Sequence, residues 1–448
     1  MQFSFSNYEP RQLEIIDTTL REGQQSSLLH DHHKYFFNTT DKMEIARALI
    51  LYGVKFIELF APTVSQQEQN DFKEIKQTRD ELITQKGYTF LLAHVRCHPD
   101  DVSAAIKAGA DGLNMYIGTS DQSIAHKHGM GIAQITRKAR DLIEQVKQSH
   151  PHLILRFSGE DAFRTREPEL FHVYDEIAPL VHRFGTPDTV GVATPDIVAR
   201  RVKVLRERYP HIELEGHFHD DRGYATINAL TAMRNGMRYI QTTLLGIGER
   251  SGITSMTGLL FNVFVDKEYD RLDGYQLRGS YPINVLMADK MRNLVPSKEP
   301  VSLTNRTHAA GVHQKAVIND AGTYEAHSLD QFGVTETEVL LGPLSGWNVI
   351  HYFLHEICGY DIDDATAKAV TGVFKKKVYQ APLGTSPSQV LINIAESEFG
   401  LKSISVPEEF RGAIVQTMTE TSLNLNEPMN DEIGVTRHGT GIILRSKR

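Results

Sequence analysis

The stretch Leu13-Glu-Ile-Ile-Asp-Thr-Thr-Leu-Arg-Glu-Gly-Gln-Gln25 decides how the rest of the chain is read. Its apolar opening, Leu13 to Ile16, has the pattern of a short buried strand. Chemistry follows at the strand's C-terminal end, where Asp17, Arg21 and Glu22 stand close together. Much later a second strand, His211 to Gly216, runs on into His217-Phe-His219. Strand side chains alternate with period two, so both imidazoles share one face. If the two strands belong to one barrel, Glu22, His217 and His219 converge at its mouth with Arg21 beside them. Two histidines and one carboxylate, with positions left open, make a catalytic divalent-metal site rather than a closed structural one. A His-x-His pair alone also occurs by coincidence on surfaces; the matching strand end around Glu22 favours the metal.

Outward from these two segments, short β-branched runs alternate with amphipathic stretches from residue 13 to about 265. The predicted strands are Leu13–Asp17, Val54–Leu59, Tyr88–Val95, Gly112–Ile117, Leu153–Ser158, Thr189–Val192, His211–His219 and Tyr239–Leu244. Helical patterns fill the gaps, with Asp41 and Asp100 as N-caps and Pro195 at a first helical position. This count and size predict an α/β fold, the (β/α)8 TIM barrel. The competing doubly wound sheet would gather its chemistry at one crevice, whereas here it sits at the ends of many strands.

The rhythm changes after about residue 285. The expected organisation is a catalytic barrel over 1–285, a linker and smaller mixed, largely helical C-terminal region over 286–400, and an extension over 401–448 without a functional reading. Helices are expected at Asn348–Cys358, Asp363–Tyr379 and Ser386–Ala395.

Composition narrows the class. With 448 residues and a net charge of −8, the chain is too acidic to suggest a nucleic-acid partner, and Lys375-Lys-Lys377 reads as solvated surface. No apolar run approaches the roughly 18 residues of a membrane helix. The polar, aromatic start and the two cysteines, Cys97 and Cys358, favour a cytoplasmic protein without a disulfide framework.

Further candidates stand at the same predicted rim. Arg156, Ser158 and Glu160 share an alternation face at the end of the fifth strand, so a cation, a hydroxyl and a carboxylate point together. His98 follows the third strand, Asn114 and Tyr116 come from the fourth, and Thr194 follows the sixth. Asp220 and Asp221 could hydrogen-bond the imidazoles from behind or cap the next helix. The loop Gly246-Ile-Gly-Glu-Arg-Ser-Gly252 could cradle phosphate, although it lacks the spacing of a P-loop.

Together these residues resemble the acyl-CoA-condensing branch of the DRE-TIM metallolyase superfamily, from about Leu13 to about Glu356. The resemblance implies a divalent metal (Zn, Mn, Co or Mg) on Glu22, His217 and His219, acetyl-CoA as co-substrate, and Arg21 as the catalytic arginine. It implies substrate contacts from Gln25, His98, Asn114, Arg156, Ser158 and Thr194, with Glu160 catalytic. His313 and Tyr324, in "THAAGVHQKA…TYE", match a catalytic pair that one subunit inserts into its neighbour's barrel, so a domain-swapped homodimer is implied. Glu22, Ile247, Arg156 and His98 look more like the homocitrate synthases of the branch than its 2-isopropylmalate synthases. The expected reaction is a Claisen condensation of acetyl-CoA with a dicarboxylic 2-oxo acid, 2-oxoglutarate before oxaloacetate. 2-Isopropylmalate synthase, Re-type citrate synthase, citramalate synthase and, outside the reaction class, hydroxymethylglutaryl-CoA lyase are the alternatives. Asn114, Gln24 and Asp220 depart from the family pattern and bear on the acceptor, not on the reaction class.

Overall fold

The computed structural model describes residues 13–86, 88–403, 406 and 441–445. The chain divides into two compact units, Met1–Pro300 and Val301–Arg448. The change expected near residue 285 falls inside the helix Ser280–Lys290, which belongs to the first unit.

The first unit is a closed barrel of eight parallel strands in sequential order: β1 Glu14–Asp17, β2 Phe56–Phe60, β3 Phe90–Arg96, β4 Gly112–Gly118, β5 Ile154–Glu160, β6 Arg183–Asp188, β7 Glu213–Phe218 and β8 Tyr239–Thr242. β1 pairs with both β2 and β8, which closes the ring. Intervening helices cover it and start on recognisable signals. Thr39–Tyr52 opens on a capping box in which the side chain of Asn38 accepts the N–H of Asp41, so Asn38 rather than Asp41 is the cap. Pro99–Ala108 is capped by His98, not Asp100. Pro195 opens Pro195–Arg208 as expected.

The sixth strand is Arg183–Asp188, upstream of the predicted Thr189–Val192. Its sequence, Arg-Phe-Gly-Thr-Pro-Asp, carries two residues that ordinarily break strands. Gly185 is needed because the Arg156 guanidinium lies across it; a Cβ there would come within 2.2 Å of Nη2. Thr189–Val192 is instead a turn closed by Gly191, at φ +62°, and by the Val192 N–H donated to Asp188 Oδ1.

The barrel interior is layered. Ile16, Phe56, Leu92 and Tyr239 form its apolar floor, with Phe90 and Ile154 packed against them. One step towards the C-terminal ends, the inward positions become Glu58, His94, Asn114, Arg156, Glu215 and Gln241. The fold thus concentrates buried charge where barrel enzymes keep their chemistry.

Asp17 ends β1 fully buried, accepting the N–H and hydroxyl of Thr19 at 2.9 and 3.0 Å. Burial outweighs both bonds and pushes its carboxyl from 3.8 up to about 7. A folded pKa above the unfolded one gives stability that is full below about pH 4 and lost as pH rises through 7. Asp17→Asn is therefore expected to gain on wild type between pH 5 and 8 by on the order of 2 kcal/mol. Thermal melts at both pH values check this, and a constant Tm difference would contradict it.

The second unit packs its helices around Phe353, Leu354, Val370, Phe374 and Leu391. Helices Trp347–Tyr352, Asp364–Lys377 and Pro387–Ser397 lie close to the expected ranges. It also holds a three-stranded sheet in the order β11-β10-β9: β9 Thr307–His308, β10 Glu336–Leu340 and β11 Gly441–Arg445. Apart from residues 401–403, 406 and 441–445, the expected extension 401–448 lies outside the described residues. No helix among the described residues is long and apolar enough to cross a membrane.

Candidate active site

After β1 the chain bends into a single 3₁₀ turn, Glu22–Gln25, which buries Glu22. β7 supplies His217, and His219 follows it in a bridge to Ile253. One donor atom from each of Glu22, His217 and His219 lies within 4.8 Å of the other two, and all three residues are buried. The loop Gly246–Gly252 braces this arrangement: the Glu249 N–H donates to Glu22 Oε1 at 3.0 Å. Ile247 packs against Gly23, where a Cβ would approach to 2.9 Å.

The donor set fits a divalent cation. Burial would raise the Glu22 carboxyl, but the Arg21 guanidinium and the Glu249 N–H help hold it at about 2, so it is ionised. Burial holds His217 well below its ordinary value and lowers His219, so both imidazoles are neutral. Gln241 fixes the His217 tautomer. Its Nε2 donates to the Glu215 and Glu58 carboxylates at 2.6 and 3.3 Å, so its Oε1 must accept the His217 Nδ1 proton at 2.6 Å. Nε2 of His217 then keeps its lone pair. His219 Nδ1 is buried without a hydrogen-bond partner among the described residues. A neutral, oriented imidazole beside an ionised carboxylate is the state metal ligation requires.

These groups line a 540 Å³ cavity together with Arg21, Gln25, His94, Arg156, Ser158 and Glu160. Arg21 binds Glu22 through Nη1, points Nη2 at His94 Nε2 (2.9 Å) and lies 3.5 Å from Glu58 Oε1. A guanidinium only donates, so His94 Nε2 accepts and its proton sits on Nδ1, 3.4 Å from Glu58 Oε1. Burial, with Arg21, Arg156 and His217 nearby, keeps His94 well below its ordinary value. Arg156 pairs with Glu215 at 2.7 Å, leaving its buried Nε without a hydrogen-bond partner among the described residues. Glu215 is held as well by Arg183 at 2.9 Å. Ser158 donates to Gly185 O, and Glu160 pairs with the exposed Lys127 at 2.8 Å.

Three sequence candidates are not brought to the cavity wall. The His98 side chain accepts the Asp100 N–H as a helix cap and is largely exposed; His94, four residues earlier on β3, occupies the wall instead. Thr194 bonds Asp196 at 2.5 Å. Asn114 lies buried beneath the cavity and donates to Glu58. Asp220 accepts the Ala225 N–H at the start of the next helix, and Asp221 pairs with Arg250 at 2.7 Å. Neither takes the place behind His217, which belongs to Gln241. Glu58, Glu215 and Gln241 were not among the expected site residues; each is polar on the inward parity of its strand, and that was their signal.

In the second unit the helix Gly311–Asn319 carries His313, and a turn after it carries Tyr324. Their rings stack at 4.0 Å with a 29° interplanar angle. Both are exposed on this unit, beside Val312 at 79%.

Comparison with known proteins agrees with the two-unit division. The HMGL-like family model matches residues 12–280, and a model described as homocitrate synthase post-HMGL domain-like matches 301–381. The mitochondrial homocitrate synthase of Yarrowia lipolytica is 36% identical over 367 residues, 81% of this chain and 78% of that protein. The 2-isopropylmalate synthase 1 of Caldanaerobacter subterraneus subsp. tengcongensis is 31% identical over 371 residues, 81% of this chain and 89% of that protein. In fold alone, the hydroxymethylglutaryl-CoA lyase of Pseudomonas aeruginosa superposes with a TM-score of 0.54 at 16% identity, covering 65% of this chain and 96% of that one. The chain belongs to the HMGL-like family, in the acyl-CoA-condensing branch that holds the homocitrate and 2-isopropylmalate synthases.

Proposed function

We propose that this chain condenses acetyl-CoA with 2-oxoglutarate to give homocitrate and CoA. The observation that carries the proposal is the convergence of Glu22, His217 and His219 beside Arg21, in a cavity that also presents Arg156. Glu22, His217 and His219 would hold a divalent ion, which when bound polarises the acceptor's ketone as a Lewis acid. Arg156, whose Nε–H has no hydrogen-bond partner among the described residues, receives the acceptor's distal carboxylate. Ser158 and Gln25 line the same space. His313 takes a methyl proton from acetyl-CoA, with Tyr324 stacked on it. The resulting enolate carbon bonds to the ketone carbon, and Arg21 offsets the negative charge on the new alkoxide until it is protonated. One water then cleaves the thioester and releases CoA.

In this reading, the unit carrying His313 and Tyr324 serves the barrel of a second subunit in a domain-swapped homodimer. The exposure of Val312 at 79%, Tyr324 at 43% and Leu344 at 65% supports it. Cys97 and Cys358, which form no disulfide among the described residues, suit a reducing, cytosolic setting.

Thiol release from acetyl-CoA, with a divalent metal and a panel of 2-oxo acids, tests the assignment. Turnover with 2-oxoglutarate is expected; preference for oxaloacetate or 2-oxoisovalerate would keep the mechanism and overturn the acceptor. Arg156→Ala is expected to raise the acceptor's KM roughly 10- to 100-fold and leave that of acetyl-CoA nearly unchanged. The fold tolerates the change because Glu215 keeps Arg183 and Gln241. Equal effects on both substrates would remove Arg156 from acceptor binding.

A further inference from the structure

Tyr324 stands on the surface of its unit, 43% exposed. Its turn is closed by the Gly322 N–H donated to Asp320 Oδ1 (2.9 Å) and by its own N–H donated to Ala321 O (3.1 Å). A ring contact with His313 is too weak by itself to fix an exposed side chain. The next residue turns inward. Glu325 accepts from Arg306 Nε and from Thr337 Oγ1, each at 2.8 Å, and lies 3.2 Å from His308 Nε2. Its side chain is 6% exposed. Arg306 is itself fixed, giving Nη1 to Asp330 Oδ1 and to Val334 O at 2.6 Å.

One buried carboxylate therefore joins three segments. The first, through Arg306 and His308, leads into the helix that carries His313. That helix is tied to the same strands, because buried Gln314 donates to His308 O at 3.2 Å and to Leu340 O. The second is β10, through Thr337. The third is the turn of Tyr324. The distance between His313 and Tyr324 is thus set by groups one residue away from the tyrosine and five from the histidine. We propose that Glu325, clamped by Arg306, His308 and Thr337, is a positioning residue that holds the Tyr324 ring against His313. The proposal rests on the reading of His313 and Tyr324 as reacting groups.

Steady-state thiol release by the full chain tests it, with Glu325→Gln, Thr337→Val and Tyr324→Ala alone and with the two double variants that carry Tyr324→Ala. Glu325→Gln is expected to lower kcat about 30-fold and Thr337→Val about 3-fold, with both KM values within about twofold of wild type. Beside Tyr324→Ala neither lowers kcat further, because no ring is left to place. A Glu325→Gln loss that persists in full beside Tyr324→Ala overturns the proposal, as does a wild-type kcat in Glu325→Gln. If Glu325→Gln does not fold, Thr337→Val and its double decide, and a normal kcat in Thr337→Val overturns it. Wild-type kcat in Tyr324→Ala alone would mean that the reading of the pair has failed, and the clamp falls with it. That result is distinct from a slow Tyr324→Ala combined with an undiminished effect of Glu325→Gln.

Discussion

Arg21→Met is expected to lower kcat for thiol release by roughly 10³-fold, with the KM of acetyl-CoA little changed. The guanidinium engages Glu22 through Nη1 and His94 through Nη2, and its Nε faces Glu58 at 3.5 Å. Burial alone would lower its pKa, yet Glu22 and Glu58 raise it, so the cation is permanent. A fixed cation in a closed site stabilises a developing alkoxide without reorganising at the moment of reaction. Methionine keeps the stem and removes the charge. The fold survives because Glu22 retains the Glu249 N–H, and Glu58 retains the amides of Asn114 and Gln241. Arg21→Lys separates charge from geometry: the single nitrogen of an ammonium cannot span partners that Arg21 reaches from Nη1, Nη2 and Nε, and a loss of about 10²-fold is expected. A methionine variant that keeps more than about a tenth of wild-type turnover would remove Arg21 from the charge-bearing step.

The barrel was legible because its strands are β-branched runs set between amphipathic helices. Where that pattern failed, a neighbour's side chain was the cause. β6 carries Gly185 because Arg156 occupies the space a Cβ would fill, and no local pattern in residues 183–188 announces this. The buried cluster of Glu22, His217 and His219 was legible from strand parity and position at strand ends. Parity also applies to the third strand, where His94 and His98 share a face by alternation. Only His94 is on the strand; the chain turns after Arg96, and Pro99 starts a helix that makes His98 its cap. Depth along the barrel axis, which decides between the two, depends on where the strand stops. The small sheet of the second unit was illegible for another reason. Its β9 is two residues long, and β11 comes from Gly441–Arg445, far along the chain from β10. Pairing of that kind leaves no periodicity in a local window.

Electrostatics links the layered interior to the site. Glu58 and Glu215 are fully buried carboxylates beneath the cavity, and each is matched by an arginine that the cavity also exposes. Burial raises the Glu58 carboxyl, opposed by Arg21 and Arg156, with Glu215 pushing it further up. Arg21 and Arg156 are thus held from below by buried carboxyl groups, Glu58 and Glu215, while lining the cavity above. In the proposed condensation, a substrate carboxylate or a nascent alkoxide would meet cations already oriented, and the cost of ordering long side chains was met on folding.

Two inactive variants, Arg21→Ala and His313→Ala, are expected to regain activity when their subunits are mixed. Arg21 lies in the barrel unit and His313 in the second unit. In a domain-swapped dimer, each reacting centre takes its barrel from one chain and its His313–Tyr324 pair from the other. A mixed dimer then has one centre with both defects and one with neither. Random exchange makes about half of the dimers mixed, so about one quarter of all centres become intact. Each variant alone is reduced on the order of 10²- to 10³-fold, which places the regained activity far above the sum of the two. Co-expression with two different affinity tags, followed by tandem purification, isolates the mixed dimer and raises the expected value to about half of wild type. If each chain instead completed its own barrel, every centre in the mixed dimer would carry one defect, and activity would stay at the level of the separate variants. That outcome would leave the chemistry of Arg21 and His313 intact and remove the exchange of units between subunits.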